Sequence, residues 1–127
     1  MIQAATLKIR ASGVPTGTNP FNTLGSLFVD LAKPYFGSTA AVQLTDFNIA
    51  ALAPRVGTIG KTPVGAWYSA VLTPTGRSSI NRTGPTQFRL AFAKDDNNNH
   101  VADFLKFFSG NGAAGTQPVL VLTYYQP

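Results

Sequence analysis

Short runs in which apolar and polar residues alternate recur along the whole chain. Two apolar residues alternate with basic ones in residues 6–11, and Phe88, Leu90 and Phe92 alternate with polar or small residues in residues 86–94. A period of two residues is typical of a strand with one buried face. Similar patterns predict strands at residues 24–32, 63–73, 102–109 and 118–125, and less clearly at residues 41–50.

About seven short strands separated by turn-rich segments predict an all-β fold, an antiparallel β-sandwich or jelly roll. The composition agrees, because the chain has 12 glycines, 9 prolines and no glutamate, and glycine and proline are the poorest helix formers. The one helical turn that we expect lies within residues 45–52. A length of 127 residues, 44% of them apolar, predicts a single folded domain over residues 1–127.

Several kinds of chemistry are excluded by what the sequence lacks. It has no cysteine, which removes disulfides, thiolate metal sites and thiol nucleophiles. His100 is the only histidine, and no G-x-S-x-G elbow or glycine-rich nucleotide motif accompanies it. We therefore predict that the chain is not an enzyme. It also lacks the run of about 18 apolar residues that membrane insertion needs.

Residues 94–104, KDDNNNHVADF, concentrate three of the five acidic residues. Asp95, Asn97 and Asn99 have the alternating spacing by which oxygen-bearing side chains converge on calcium. Asp103, the ninth residue counted from Asp95, completes a set similar to the short calcium loops of thrombospondin type 3 repeats. Lys106 stands where an EF-hand needs glutamate, which excludes an EF-hand.

Two interpretations of this segment remain open. One is a structural calcium ion held by Asp95, Asn97, Asn99 and Asp103. The other is a metal-free loop of Asx turns, since Asn and Asp side chains bond readily to their own backbone. His100 takes the place of the usual turn glycine, and histidine tolerates a positive φ better than most residues.

The net charge of +5 favours an acidic polysaccharide or an anionic cell envelope as a partner. Lys8 with Arg10, and Arg89 with Lys106, are expected to form outward rows on sheet faces. Nucleic acid is not expected, because no aromatic–basic motif or recognition helix is visible.

A sugar-binding surface also needs exposed aromatic rings. Trp67 alternates in phase with Val71, which favours core packing, so its neighbour Tyr68 is expected to face outward. The predicted ligand-binding residues are Tyr68, Tyr35, Tyr124, Arg89 and Lys106.

Residues 86–90 (TQFRL), 102–107 (ADFLKF) and 117–124 (QPVLVLTY) resemble the end of DNRLRE-type domains and of the carbohydrate-binding modules grouped with them. Residues 66–73 (AWYSAVLT) resemble the tryptophan-containing strand of that family. The name-giving hexapeptide is absent, and Gln117 replaces the arginine that usually precedes Pro118. The resemblance implies a β-sandwich accessory module, cut from a large exported bacterial or archaeal protein, at the cell surface or outside the cell.

These expectations lead to a non-catalytic carbohydrate-binding module as the first hypothesis, with a polysaccharide or cell-surface glycan as its partner. The alternative is a structural or adhesion subunit that self-assembles into a homo-oligomer, a surface fibre or a particle. A third hypothesis is an accessory domain that only stabilises or spaces a neighbouring enzyme.

Overall fold

The computed structural model describes residues 1–125, so Gln126 and Pro127, the last two residues of the predicted domain, lie outside the described residues. Over residues 1–125 the chain forms six strands, two short α-helices and one 3₁₀ helix. The strands are β1 Ile2–Arg10, β2 Leu27–Ala32, β3 Ala53–Ile59, β4 Trp67–Val71, β5 Gln87–Phe92 and β6 Val119–Tyr124. The helices are α1 Pro20–Thr23 and α2 Pro74–Ser79, and the 3₁₀ helix is Leu44–Phe47.

The strands form two three-stranded antiparallel sheets, which confirms the predicted all-β class. One sheet has the order β4-β1-β6 and the other the order β3-β2-β5. In the first, Lys8 lies opposite Ser69 of β4 and Val119 of β6. In the second, Asp30 lies opposite Arg89 of β5.

Both sheets contribute to one hydrophobic core. Every second residue of β1 from Ala5 to Ile9 is buried, and the same holds for β2 from Leu27 to Leu31. The period of two that the sequence shows in β1 is therefore the period of burial. Each large apolar side chain buried in this way stabilises the fold by about 1.5–3 kcal/mol.

The two sheets are joined along one side by backbone hydrogen bonds between β3 and β4. The Gly60 N–H donates to the Ser69 carbonyl at 3.0 Å, and the Thr73 N–H donates to the Val56 carbonyl at 2.7 Å. Gly57 permits this approach, since a Cβ there would lie 3.2 Å from the Ala70 side chain. β5 and β6 are then the remaining outer strands of the two sheets.

Two predicted strands are wrong in detail. Residues 102–109 pair only through isolated bridges, Phe104 with Thr16 and Phe107 with Ala11. Pro15 lies in the facing segment and has no N–H to donate, so a continuous ladder does not form there. Residues 41–50 contain the 3₁₀ helix instead of a strand, within a capping box closed by Asp46.

Candidate functional site

The outer face of sheet β4-β1-β6 brings basic and aromatic side chains together. Lys8 and Arg10 alternate with buried residues of β1, so both point away from the core. Their partners on β4 are Ser69 and Trp67, which lie on the same side of the sheet. We call the surface formed by Lys8, Arg10, Trp67 and Ser69 the outer face.

Contacts between neighbours hold this surface in place. The Lys8 Nζ lies 5.4 Å from the centroid of the Trp67 ring, and the Arg10 Cζ lies 5.9 Å from the centroid of the Phe108 ring. Both are cation–π distances. The predicted outward row of Lys8 and Arg10 is therefore confirmed, and Trp67 is the aromatic residue that accompanies it.

The prediction that Tyr68 is exposed and Trp67 packs in the core is wrong. Tyr68 is only 4% exposed, stacks on Phe21 with ring centroids 5.6 Å apart, and meets Phe107 edge-on at 5.7 Å. It faces inward because it pairs with the buried Ile9 of β1. Alternation along β4 separates the two faces correctly, but only the pairing with β1 decides which of them is inward.

Arg89, predicted to bind a ligand, instead binds other residues of the protein. Its Nη2 donates to the Asp30 Oδ2 at 2.7 Å, and its Nη1 donates to the carbonyls of Asp46 at 2.7 Å and Ile49 at 2.8 Å. Its Cζ lies 4.5 Å from the centroid of the Phe36 ring. The guanidinium thus fixes residues 36–49 against β5, and its donors are committed to the protein.

The other predicted ligand residues lie on separate segments. Lys106 lies beside the end of β1, where its carbonyl accepts from the Ser12 N–H and its Nζ lies 5.3 Å from the Phe104 ring centroid. Arg89 belongs to the other sheet, so the expected row of these two basic residues is wrong. Tyr35 is half-buried after β2, and Tyr124 is 62% exposed at the end of β6.

A small cleft beside β5 is lined by aromatic rings. It measures about 180 Å³ and is bounded by Phe36, Phe47, Phe88 and Leu90. Pockets that enclose small molecules usually begin at roughly 300 Å³. The cleft is therefore smaller than such pockets, whereas on the outer face Ser69 is exposed and Lys8, Arg10 and Trp67 are partly exposed.

The acidic segment folds as successive Asx turns. Three side-chain oxygens each accept a hydrogen bond from the backbone N–H two residues later, those of Asp96, Asn97 and Asn99. His100 has a φ of 58°, and Asn98 has a φ of 55°. The left-handed conformation expected at the histidine position is confirmed.

Asp103 ties this segment to the loop that precedes α1. Its Oδ1 accepts from the Thr18 N–H at 2.8 Å, and its Oδ2 accepts from the Asn97 Nδ2 at 2.9 Å. A calcium ion held by both residues would need the Asn97 amide to present its oxygen instead. Within residues 1–125, no group of three or more histidine, cysteine or acidic residues is placed to hold a metal. Calcium binding through Asp95, Asn97, Asn99 and Asp103 stays a prediction.

The chain matches no family model, no curated protein and no solved structure. Within residues 1–125, none of the helices is both long and apolar enough to cross a membrane. Function is therefore inferred from the outer face, the sheet edges and the acidic segment themselves.

Proposed function

We propose that this chain is a non-catalytic module that binds an acidic polysaccharide on its outer face. The observation that carries the proposal is the indole of Trp67 lying beside Lys8 and Arg10 on one open sheet face. The resemblance to DNRLRE-type domains supports the same function, together with an extracellular or cell-surface location. The core shared by two sheets that are joined at β3 and β4 supports a β-sandwich as the arrangement.

The two kinds of side chain contribute differently to binding. Lys8 covers one face of the indole, and in the proposed complex the C–H face of a sugar ring packs against the part of the ring that Lys8 leaves uncovered. Lys8 and Arg10 stand two residues apart on one strand, about 6.7 Å along it. They form a short row of positive charge that follows an extended chain of sugar carboxylates or sulfates.

The pairing of these residues also prepares the surface for a ligand. Lys8 is held over the indole, so its ammonium group does not have to be ordered when a ligand binds, and that lowers the entropic cost of binding. The Nε of Arg10 is buried without a partner, so its two Nη groups are the donors that would bond a carboxylate in a planar, two-pronged way. Because these charges are near the surface, binding is expected to weaken as salt is raised beyond physiological ionic strength.

The test is isothermal titration of the protein with polygalacturonate, using the fully methyl-esterified polymer as a neutral ligand control. Wild type is expected to bind the acidic polymer and to bind the ester at least about tenfold more weakly, a difference of 1.4 kcal/mol. Trp67→Ala should reduce affinity for the acidic polymer by about tenfold. Lys8→Gln with Arg10→Gln should abolish the preference for the acid.

The matched control is Tyr35→Ala, which removes a half-buried aromatic ring that follows β2, a strand of the other sheet. Its affinity is expected to stay within about twofold of wild type. If wild type bound none of the three acidic polymers polygalacturonate, heparin and alginate, the proposal would be overturned. An equal loss of affinity in Tyr35→Ala and Trp67→Ala would overturn the assignment of the outer face.

A further inference from the structure

Within residues 1–125, strand β6 is an outer strand that pairs only with β1. Its sequence, VLVLTY, contains no charged residue and no proline, and Val121, Leu122 and Tyr124 are 49%, 37% and 62% exposed. Proteins usually protect such edges with charges, prolines, bulges or covering loops, because a bare edge pairs with other strands. β6 has neither charges nor prolines. The only register shift in its pairing with β1 lies on the β1 side, between Ile2 and Ala4.

The other outer strands in the described part of the chain are protected. β3 and β4 are hydrogen-bonded to each other through Gly60 and Thr73. β5 carries the charge of Arg89, and the Arg89 and Gln87 side chains bind Phe36, Asp46 and Ile49 beside the strand. The contrast singles out β6 as the edge left free for a partner strand.

The hydrogen-bonding pattern identifies which groups of β6 are free. The Ala5 carbonyl accepts from the Leu72 N–H, so Ala5 is directed towards β4 and its neighbours Ala4 and Thr6 are directed towards β6. Their partners on β6 are Thr123 and Val121. The intervening residues of β6 therefore direct their N–H and C=O groups outward, namely Leu120, Leu122 and Tyr124.

We propose that two copies of this chain associate by antiparallel pairing of their β6 strands. A register with Leu122 opposite Leu122, and Leu120 opposite Tyr124 of the other copy, matches every free donor with a free acceptor. It is a two-fold contact in which the same patch of each copy faces the other. The product is one continuous sheet with the order β4-β1-β6-β6-β1-β4.

Charge supports a second copy as the occupant. The chain carries a net charge of +5, but no charged residue lies in β6. An uncharged edge strand pairs best with another uncharged strand, and β6 of a second copy is one. Lys8 lies one strand away on β1, and Arg82 lines a cavity together with Leu122 and Tyr124 of β6. In the pair, the two Lys8 side chains would be three strand spacings apart across the sheet, about 14 Å, and six residues apart along it, about 20 Å, which makes about 25 Å in all. That exceeds the screening length of about 8 Å at physiological salt, so their repulsion is weak.

The test is sedimentation equilibrium of the protein without any glycan, over a concentration range of roughly 5 to 500 µM, chosen because a single strand pair is a small interface. The weight-average mass of wild type is expected to rise from 13.4 kDa towards twice that value. Val121→Lys adds a charge to each edge strand within reach of its counterpart, and should hold the mass at 13.4 kDa throughout.

The matched control is Val71→Lys. Val71 lies in the same outward row as Val121, on the far side of Thr6, and is 70% exposed. This variant should dimerise as wild type does, because β4 is not the pairing edge. Tyr124→Pro is the second variant, since it removes an outward N–H without touching the β1–β6 ladder, and it should also stay monomeric.

Thermal melts establish that each variant is folded before its mass is compared. A wild type that stays at 13.4 kDa over the whole range would overturn the proposal, and so would equal weakening by Val121→Lys and Val71→Lys. A mass that grows beyond the dimer would overturn the closed two-fold pairing. Because these measurements contain no polysaccharide, they are independent of the outcome of the binding test on Trp67.

Discussion

Arg89 illustrates how one side chain can organise a region that has little regular structure. Its partner Asp30 also accepts from the Arg55 N–H at 2.8 Å, at the point where pairing between β2 and β3 shifts register. Asp30 thereby replaces a missing ladder bond on one side and neutralises Arg89 on the other. The side chains of both residues are about 15% exposed, at 16% and 14%, so their interaction is only partly screened by water.

Replacing Arg89 with lysine is expected to lower the free energy of unfolding by about 2–3 kcal/mol. An ammonium group cannot reach both the Asp30 carboxylate and the carbonyls of residues 46–49 in the way that a planar guanidinium does. Urea unfolding followed by circular dichroism measures the change. Arg82→Lys, at an exposed position, is the control and should change stability by less than about 0.5 kcal/mol. Equal effects of the two substitutions would show that the Arg89 contacts contribute nothing specific.

At the level of elements, strands with regular alternation could be predicted and irregular ones could not. The sequence pattern predicts one strand within residues 86–94, where β5 occupies Gln87–Phe92, and another within residues 118–125, where β6 occupies Val119–Tyr124. Each has a strict period or a continuous apolar run. Strands with such local patterns can be predicted without knowing which strand they pair with.

β3 escaped prediction because its sequence, APRVGTI, contains both a proline and a glycine. Proline is tolerated there because β3 is the outer strand of its sheet. Glycine at position 57 relieves crowding, because a Cβ there would lie 3.2 Å from the Ala70 and Leu72 side chains. Both features depend on neighbours that are distant in sequence, so local propensity gives the wrong answer.

The candidate site could not be predicted from the sequence either, because it also depends on residues that are distant along the chain. The basic row of Lys8 and Arg10 follows from alternation alone, whereas the position of Trp67 beside it depends on the register between β1 and β4. The structural role of Arg89 depends on carbonyls more than 40 positions away along the chain. Residue type and spacing identify candidate side chains, and tertiary pairing decides which of them face solvent.

The acidic segment provides a prediction of its own. If Asp95, Asn97, Asn99 and Asp103 hold calcium, adding the ion raises stability by about 2.7 kcal/mol at a hundredfold excess over the dissociation constant. Differential scanning calorimetry in calcium and in chelator should then show a higher Tm with calcium for wild type. Asp103→Ala should remove the difference, and Asp96→Asn, outside the ligand set, should retain it. Equal melting temperatures for wild type in the two buffers would establish the metal-free Asx turns as the correct interpretation.

For the molecule as a whole, the two sheets have one joined side and one side with separate edges. The β3–β4 hydrogen bonds fix the sheets to each other, Arg89 binds residues 46–49 beside β5, and β6 has no strand partner besides β1 within residues 1–125. The proposed ligand face and the proposed pairing edge belong to the same sheet. In the β6 pair, both outer faces would therefore lie on one side of the continuous sheet, where a single long polymer reaches both and gains avidity.

The hydrogen bond between the Tyr125 N–H and the Met1 carbonyl, at 3.2 Å, has a mechanical consequence. Residues 1 and 125 lie at the same end of two adjacent antiparallel strands, so tension applied to them runs along the ladder hydrogen bonds, which are perpendicular to the strands. These bonds then break one after another, as in peeling, and the protein should extend at low force. Optical-tweezer handles on cysteines introduced at positions 13 and 125 would instead shear all the bonds together, and should require a clearly higher force.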